Sequence, residues 1–143
     1  MKIFENKAAL AAASLKEGQI VTTKGYYTAG DGGGATYLIK TAAAFGGTPD
    51  GYGDHSLANG NVAVIQHNGT VTVEQYGATG DKVTDDFAAV DAANTAGVRI
   101  IFSKYYFLSS VLVLDTAPIV IGGAFTVTSG CTGVPFSSDG TSI

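Results

Sequence analysis

Residues 98–129 read VRIIFSKYYFLSSVLVLDTAPIVIGGAFTVTS, an almost unbroken tract of β-branched and aromatic residues. Short apolar runs (VRIIF, YFL, VLVL, PIVIGG, AFTVT) follow one another at tight spacing, with little room for helices between them. Such runs favour strands. Close spacing restricts the chain to architectures that stack short strands, and successive turns of a parallel β-helix satisfy it. A β-sandwich gives similar local signals, and periodicity alone does not separate the two.

The rest of the chain divides by texture. Residues 6–16 favour a helix with Asn6 as N-cap and Gly18 as stop. QIVTTKGYY, ATYLIKT and NVAVIQH then read as strands. Asn68-Gly69 signals a hairpin into a fourth strand, TVTVEQY, because both residues tolerate positive φ. The polar stretch 41–60 reads as a long loop with a task or as an Ω-loop. After Tyr76, GATGDKVTDD reads as a turn region and DDFAAVDAANTAG as a short helix ending at Gly97. The expected fold class is therefore mainly β. Two units are expected: residues 1–70 as a small β unit with a short helix, and residues 71–143 as a capping helix followed by stacked strands.

Three carboxylates, Asp81, Asp85 and Asp86, crowd the start of the second unit. A catalytic or metal role is one reading of them. The other is structural: Thr84 or Asp85 caps the helix, Asp85 and Asp86 place negative charge at its positive end, and Asp81 beside Gly80 suits a tight turn. The structural reading accounts for all three, and a glycosidase pair would need a cleft that the pattern does not supply. A small-residue helix ahead of the β tract also suits the need to cover exposed strand edges.

Composition removes several classes. The net charge is −4 and the 8 basic residues form no cluster, so nucleic acid is not an expected partner. No apolar run is long enough to cross a bilayer, and the charged N-terminus does not read as a signal peptide. The single Cys131 makes no internal disulfide. GDGGGA, residues 30–35, leads into a strand and not a helix, so it reads as a turn and not as a nucleotide loop. Asp50, Asp54 and His55 match no metal-loop spacing and read as a solvated loop or a partner contact. No cofactor and no metal are expected. His67 reads as a turn residue. The tyrosines read as half-buried strand positions, with stacking on sugars as their functional alternative.

The segment VTVEQYGATGDKVTDDFAAVDAANTAGVRIIFSKYYFLSSVLVL resembles the opening of pectate-lyase-like right-handed β-helix proteins. The matching positions include Tyr76, Gly77, Gly80, Asp81, Thr84, Asp85, Asp86, Gly97, Ile100, Phe102, Tyr106 and Leu108. Lys82 departs from the family's usual Gly, and Ser103-Lys104-Tyr105 departs from its usual Pro-x-Gly. Upstream, the turn Gly30, Asp31, Gly32, Gly33 with Tyr37 is similar to the N-terminal region of bacteriophage tailspikes. The two resemblances together cover about residues 15–125.

The resemblance implies a homotrimeric virion protein, made in the host cytoplasm. It implies that residues 1–70 attach to the phage tail, baseplate or an adaptor, with Gly30–Gly33, Asp54 and His55 as attachment candidates. It implies that the full-length β-helix binds and depolymerises a bacterial surface polysaccharide, with its catalytic acids beyond the residues present here. The chain is then expected to be a fragment without hydrolase activity. The alternative is a small polysaccharide-degrading enzyme using Asp81, Asp85 or Asp86, or a glycan-binding β-helix module.

Overall fold

The computed structural model describes residues 1–110, 112–113, 119–121 and 125–127. Cys131 and the Gly/Ser-rich stretch SSDGTSI lie outside the described residues. The protein is mainly β with few helices.

A five-stranded sheet occupies the first half. It contains β1 (Lys2–Phe4), β2 (Ile20–Thr23), β3 (Thr36–Lys40), β4 (Asp54–Ser56) and β5 (Val62–Gln66), in the order β1-β2-β3-β5-β4. All neighbours are antiparallel except β1 and β2, which run parallel across helix α1 (Lys7–Ala11). Alternation sets the inner face. Val21 and Thr23 on β2 and Tyr37 and Ile39 on β3 are buried, while their neighbours point outward. Burying Tyr37 and Ile39 stabilises the sheet by about 2 kcal/mol each.

Helix α1 is shorter than its alanine-rich sequence predicts. Asn6 caps it, accepting from Ala9 N at 2.9 Å, but the helix ends at Ala11. Leu10 and Leu15 are both buried, and five residues apart they cannot share one helical face. The amides of Asn59 and Asn61 each donate to the Leu15 carbonyl at 2.8 Å, holding that carbonyl outside any helix.

The stretch 41–60 is structured. Thr41 caps helix α2 (Ala42–Phe45), Gly46 closes it at φ +77, and β4 adds to the sheet edge. This decides the fate of Asn68-Gly69. β5 is hydrogen-bonded to β3 on one side and β4 on the other, so it has no free edge for a hairpin partner. Gly69 does turn the chain, at φ +76, but the next strand, β6 (Thr70–Thr72), leaves the sheet.

The second half is parallel. β6, β8 (Arg99–Phe102) and β10 (Ile119–Ile121) form one three-stranded sheet, and β7 (Asp81–Asp85), β9 (Tyr105–Leu108) and β11 (Phe125–Val127) form another. Ile100 pairs with Ile119 and Phe107 with Thr126, the same 19-residue step in both ladders. The first step is longer, Val71 to Ile100, and contains β7 and helix α3 (Phe87–Thr95). Three expectations change here. Val73–Tyr76 forms a 3-10 turn and does not continue the strand, because the Gln75 side chain accepts from Thr72 N at 3.0 Å and Gly77 follows at φ +98. Residues 81–85 form a strand and not only a turn. Leu112 and Val113 lie outside any strand, and Val111 and Leu114 lie outside the described residues.

Helix α3 buries Ala89, Val90 and Ala93 and packs on the 3-10 turn. Gly97 follows it at φ +70, the left-handed closure its sequence predicts. Buried residues of both halves, from Leu10 through Tyr37 to Tyr106, form one contiguous core.

Candidate functional site

The sequence-marked residues gather in two places, and the first is the joint between the five-stranded sheet and the parallel strands. Its upper side is the glycine turn. The Asp31 carboxylate accepts from four backbone N–H groups, of Tyr26 (3.0 Å), Tyr27 (2.8 Å), Thr28 (3.0 Å) and Gly33 (2.8 Å). Partial burial pushes its carboxyl up, but those N–H groups outweigh burial and hold it below its ordinary value. Gly30, at φ +85, faces open space. Gly33 is different: a Cβ there would lie 2.5 Å from the Glu74 carbonyl oxygen and 2.6 Å from Tyr26 Cβ. The backbone of the turn lies directly on the 3-10 segment.

The lower side is built on Glu74, which the alternating sequence TVTVEQY would send to solvent. The 3-10 turn sends it inward, where it is 3% exposed. Its carboxylate accepts from the Tyr106 hydroxyl and from Ser103 Oγ at 3.0 Å. The Tyr106 oxygen accepts in turn from Ser103 N (3.2 Å) and Lys104 N (3.1 Å). Burial, then the bond to Glu74, pushes the Tyr106 phenol up to about 12. Lys104 closes the joint by donating to the carbonyls of Asp31 (3.0 Å) and Thr79 (3.4 Å). Ser103-Lys104 thus gives a physical meaning to the departure from Pro-x-Gly: a proline at 103 would have no N–H for Tyr106. The Tyr27 hydroxyl adds a bond to the Gly77 carbonyl at 2.9 Å.

The three acids of the second half are all committed to polypeptide. Asp81 accepts from Val83 N (2.9 Å), Thr84 N (2.7 Å) and Thr84 Oγ1 (2.7 Å), and these bonds, the hydroxyl's foremost, hold its carboxyl down at about 2. Asp85 accepts from the N–H of Phe87 and of Ser109, both at 3.1 Å, and from Ser109 Oγ at 2.5 Å, tying β7 to the end of β9. The Ser109 hydroxyl leads the causes that lower its pKa. Asp86 is 2% exposed and accepts from Thr79 N (2.7 Å), Thr79 Oγ1 (3.1 Å) and Gly80 N (3.0 Å). It occupies the N-cap position of α3 without a side-chain capping bond, so neither Thr84 nor Asp85 is the cap. Its carboxylate folds backward over the Thr79-Gly80 turn. Gly80, at φ +64, leaves room for Lys104, whose Cβ would be 2.6 Å from an added methyl. Lys82 stands at φ +69, the one non-glycine residue with positive φ among the described residues, which explains why the resembling family uses Gly there. No group of three or more potential metal ligands occurs among the described residues.

The second place is an aromatic cluster under α1. His55 is not in a solvated loop: it lies on β4, is 5% exposed, and packs against the rings of Tyr26 and Tyr37 at 5.8 and 5.6 Å. Burial, then the charge of Lys7, pushes its imidazole down to about 4. Asp54 accepts from Ile65 N at 3.2 Å, and burial raises its carboxyl. Asp50 closes the preceding turn by accepting from Tyr52 N and Asp54 N. Lys7 Nζ lies 4.4 Å over the Tyr26 ring and 3.2 Å from its hydroxyl. Between α1 and β4 is an open hollow of about 260 Å³, lined by Lys7, Ala8, Ala11, Pro49, Gly51, His55 and Ser56. Tyr26, Tyr37, Tyr76 and Tyr106 are buried, while Tyr27 and Tyr105 are about half exposed.

Sequence reasoning marked Asp31 and the acids but missed Glu74, Ser103, Lys104 and Lys7. A signal existed for Lys104, since it falls in the one stretch where the family's turn is rewritten.

No protein-family profile matches the chain, and no curated protein does. Solved structures do. The gp42 tailspike of Acinetobacter phage vb_AbaP_AS12 superposes with a TM-score of 0.68 over 99% of this chain and 26% of its own, at 20% identity. The enzymatically active domain of tailspike protein 4 of bacteriophage CBA120 gives 0.67 over 94% and 19%, at 16% identity. The tailspike gp49 of Acinetobacter baumannii bacteriophage Fri1, a capsular polysaccharide depolymerase, gives 0.59 over 90% and 23%, at 20% identity. This chain spans about a quarter or less of each. At these identities the likeness is one of fold: over nearly all its length, this chain is folded like a segment of phage tailspike proteins.

Proposed function

We propose that this chain is an N-terminal region of a phage tailspike-like virion protein. In this reading residues 71–143 begin a right-handed parallel β-helix and α3 caps its first rung. The observation that carries it is the pair of parallel ladders climbing on a shared 19-residue step directly after α3. The tailspike likeness of the whole chain supports it. Residues 1–70 form the end piece that sits on the first rung, and the phage tail or its adaptor is the partner of that piece. The likeness to a structure described as an enzymatically active domain extends over 94% of this chain, which favours an end piece locked to the β-helix over a detachable anchor. Asp31, Gly33, Glu74 and Lys104 are its locking residues.

The longer protein, as a homotrimer, would bind and depolymerise a bacterial surface polysaccharide. No catalytic role is proposed for Asp81, Asp85 or Asp86, whose oxygens accept from backbone and hydroxyl donors. The test is the solution mass of the chain by light scattering, with a capsular-polysaccharide viscosity assay on the same sample. A species near three times 14.5 kDa with no loss of viscosity is the expected result. A folded monomer overturns the trimer. Viscosity loss abolished by Asp→Asn changes at 81, 85 or 86 overturns the non-catalytic assignment.

A further inference from the structure

The hollow between α1 and β4 is lined by a cation that has no carboxylate partner and by a buried imidazole. Lys7 reaches it from α1, and its ammonium has an aromatic face and a phenol beside it but no carboxylate. The ion pair found among the described residues, Lys24 with Glu5, is elsewhere. His55 lines the same hollow from β4, and its Nε2, which has no hydrogen-bond partner, is buried beneath that lining. Native folds rarely leave a buried polar atom unpaired, because the lost hydration is not recovered. Asp50, the acid whose charge acts on His55, already accepts from Tyr52 N and Asp54 N.

These groups define a ligand. One ammonium supplies a single full charge, and burial keeps the imidazole neutral near pH 7, so a monoanion is matched better than a phosphate dianion. Pro49 and the methyl groups of Ala8 and Ala11 supply an apolar wall, and Ser56 supplies a hydroxyl. The volume of about 260 Å³ suits one small ring.

We propose that this hollow binds a carboxylate-bearing ligand about the size of a single sugar ring, with its carboxylate on Lys7, its polar edge toward Ser56 and its ring beside the His55 imidazole. The proposal stands on these side chains and does not depend on the tailspike reading. The chain's 2 histidines make it testable, because His67 serves as an internal reference. Imidazole resonances are followed while sodium glucuronate, sodium acetate or glucose is added to the full chain at constant ionic strength. Glucuronate is expected to shift His55 saturably and leave His67 in place, and glucose is expected to move neither. Lys7→Gln should weaken glucuronate at least tenfold, while Lys7→Arg and Lys24→Gln should retain it, each checked for an unchanged melt. No saturable shift at His55, a shift that glucose reproduces, or one that survives Lys7→Gln overturns the proposal. Acetate binding as tightly as glucuronate overturns the ring-sized part of it.

Discussion

The two halves of this molecule place polar groups inside by different means. In the five-stranded sheet the buried basic group is His55, which is kept neutral and surrounded by aromatic rings. In the parallel half the buried groups are Glu74 and Asp86, each hydrogen-bonded to donors from a different turn. The difference follows from topology. Antiparallel neighbours pair their own backbone, and in this half the carboxylates Asp31 and Asp50, which accept from backbone in turns, are not themselves buried. Parallel strands are joined by longer connections, whose backbone groups need other partners. Carboxylates supply these: Asp86 for the Thr79-Gly80 turn, Asp85 for the β7–β9 tie, and Glu74, through Tyr106, for Ser103 and Lys104.

The largest effect should come from removing one such carboxylate. Asp86→Ala leaves three donors in a half-buried turn and opens a space at a buried position, and should cost about 4 kcal/mol. Hydrogen exchange should then rise in β8 and β9 while β3 and β5 stay protected. Equal loss of protection in both halves would show that the shared core makes them one cooperative unit, and the contrast would fail. Asp86→Asn, which keeps one acceptor oxygen, should lose less.

Acid should strike the other half. The folded pKa of His55, about 4, lies below the unfolded 6.5. Its contribution is therefore complete above pH 6.5 and is lost as pH falls from 6.5 through 4. At about 1.4 kcal/mol per unit this amounts to about 3 kcal/mol. Asp54 on the same strand opposes it slightly, because burial raises its carboxyl. His55→Phe should flatten the pH dependence of denaturant midpoints in this window. An NMR titration of the unmodified chain gives the same answer without a variant, and a His55 midpoint near 6.5 would refute the assignment.

The joint itself is tested by two glycines three residues apart. An added methyl at Gly33 meets backbone at 2.5 Å and should cost about 2 kcal/mol or more, while Gly30 faces open space and should cost about 1 kcal/mol for its positive φ alone. Gly33→Ala should also loosen the halves from each other, read as faster exchange at Glu74 N and Lys104 N. Equal costs at the two positions would mean that the turn does not bear on the second half.

Much of this was legible in the sequence, and the limits have physical causes. Short β-branched and aromatic runs bounded by turn residues located β2, β3, β5, β8 and β9. Asn6 and Gly97 marked helix ends through local chemistry that needs no tertiary contact. The Asn68-Gly69 hairpin failed for a reason no local pattern carries: β5 had already spent both edges. His55 looked solvated because its neighbours are Gly and Asp, yet pairing of β4 with β5 carries it under the aromatic rings. Glu74 misled in the opposite way. Its place in an alternating run pointed outward until the 3-10 turn at Val73 reversed its direction. The joint therefore became visible only with the fold, although the rewritten turn at Ser103-Lys104 marks half of it.

Lys82 offers the smallest and cleanest sharpening of the contrast. It holds φ +69, a conformation that costs a side chain about 1 kcal/mol and costs glycine almost nothing. Against that cost stands one contact, its ammonium 4.3 Å over the Tyr105 ring, worth about 0.5 kcal/mol at an exposed site. The backbone term is the larger, so Lys82→Gly should stabilise the chain by about 0.5 kcal/mol, offset in part by the extra freedom glycine gives the unfolded state. A small rise in the denaturant midpoint, with added protection in β7 and β9 and none in β3 and β5, is the expected outcome. A fall would mean that the Lys82–Tyr105 contact outweighs the strain. The parallel half would then hold its outermost strand by a side-chain clasp as well as by the carboxylate turns.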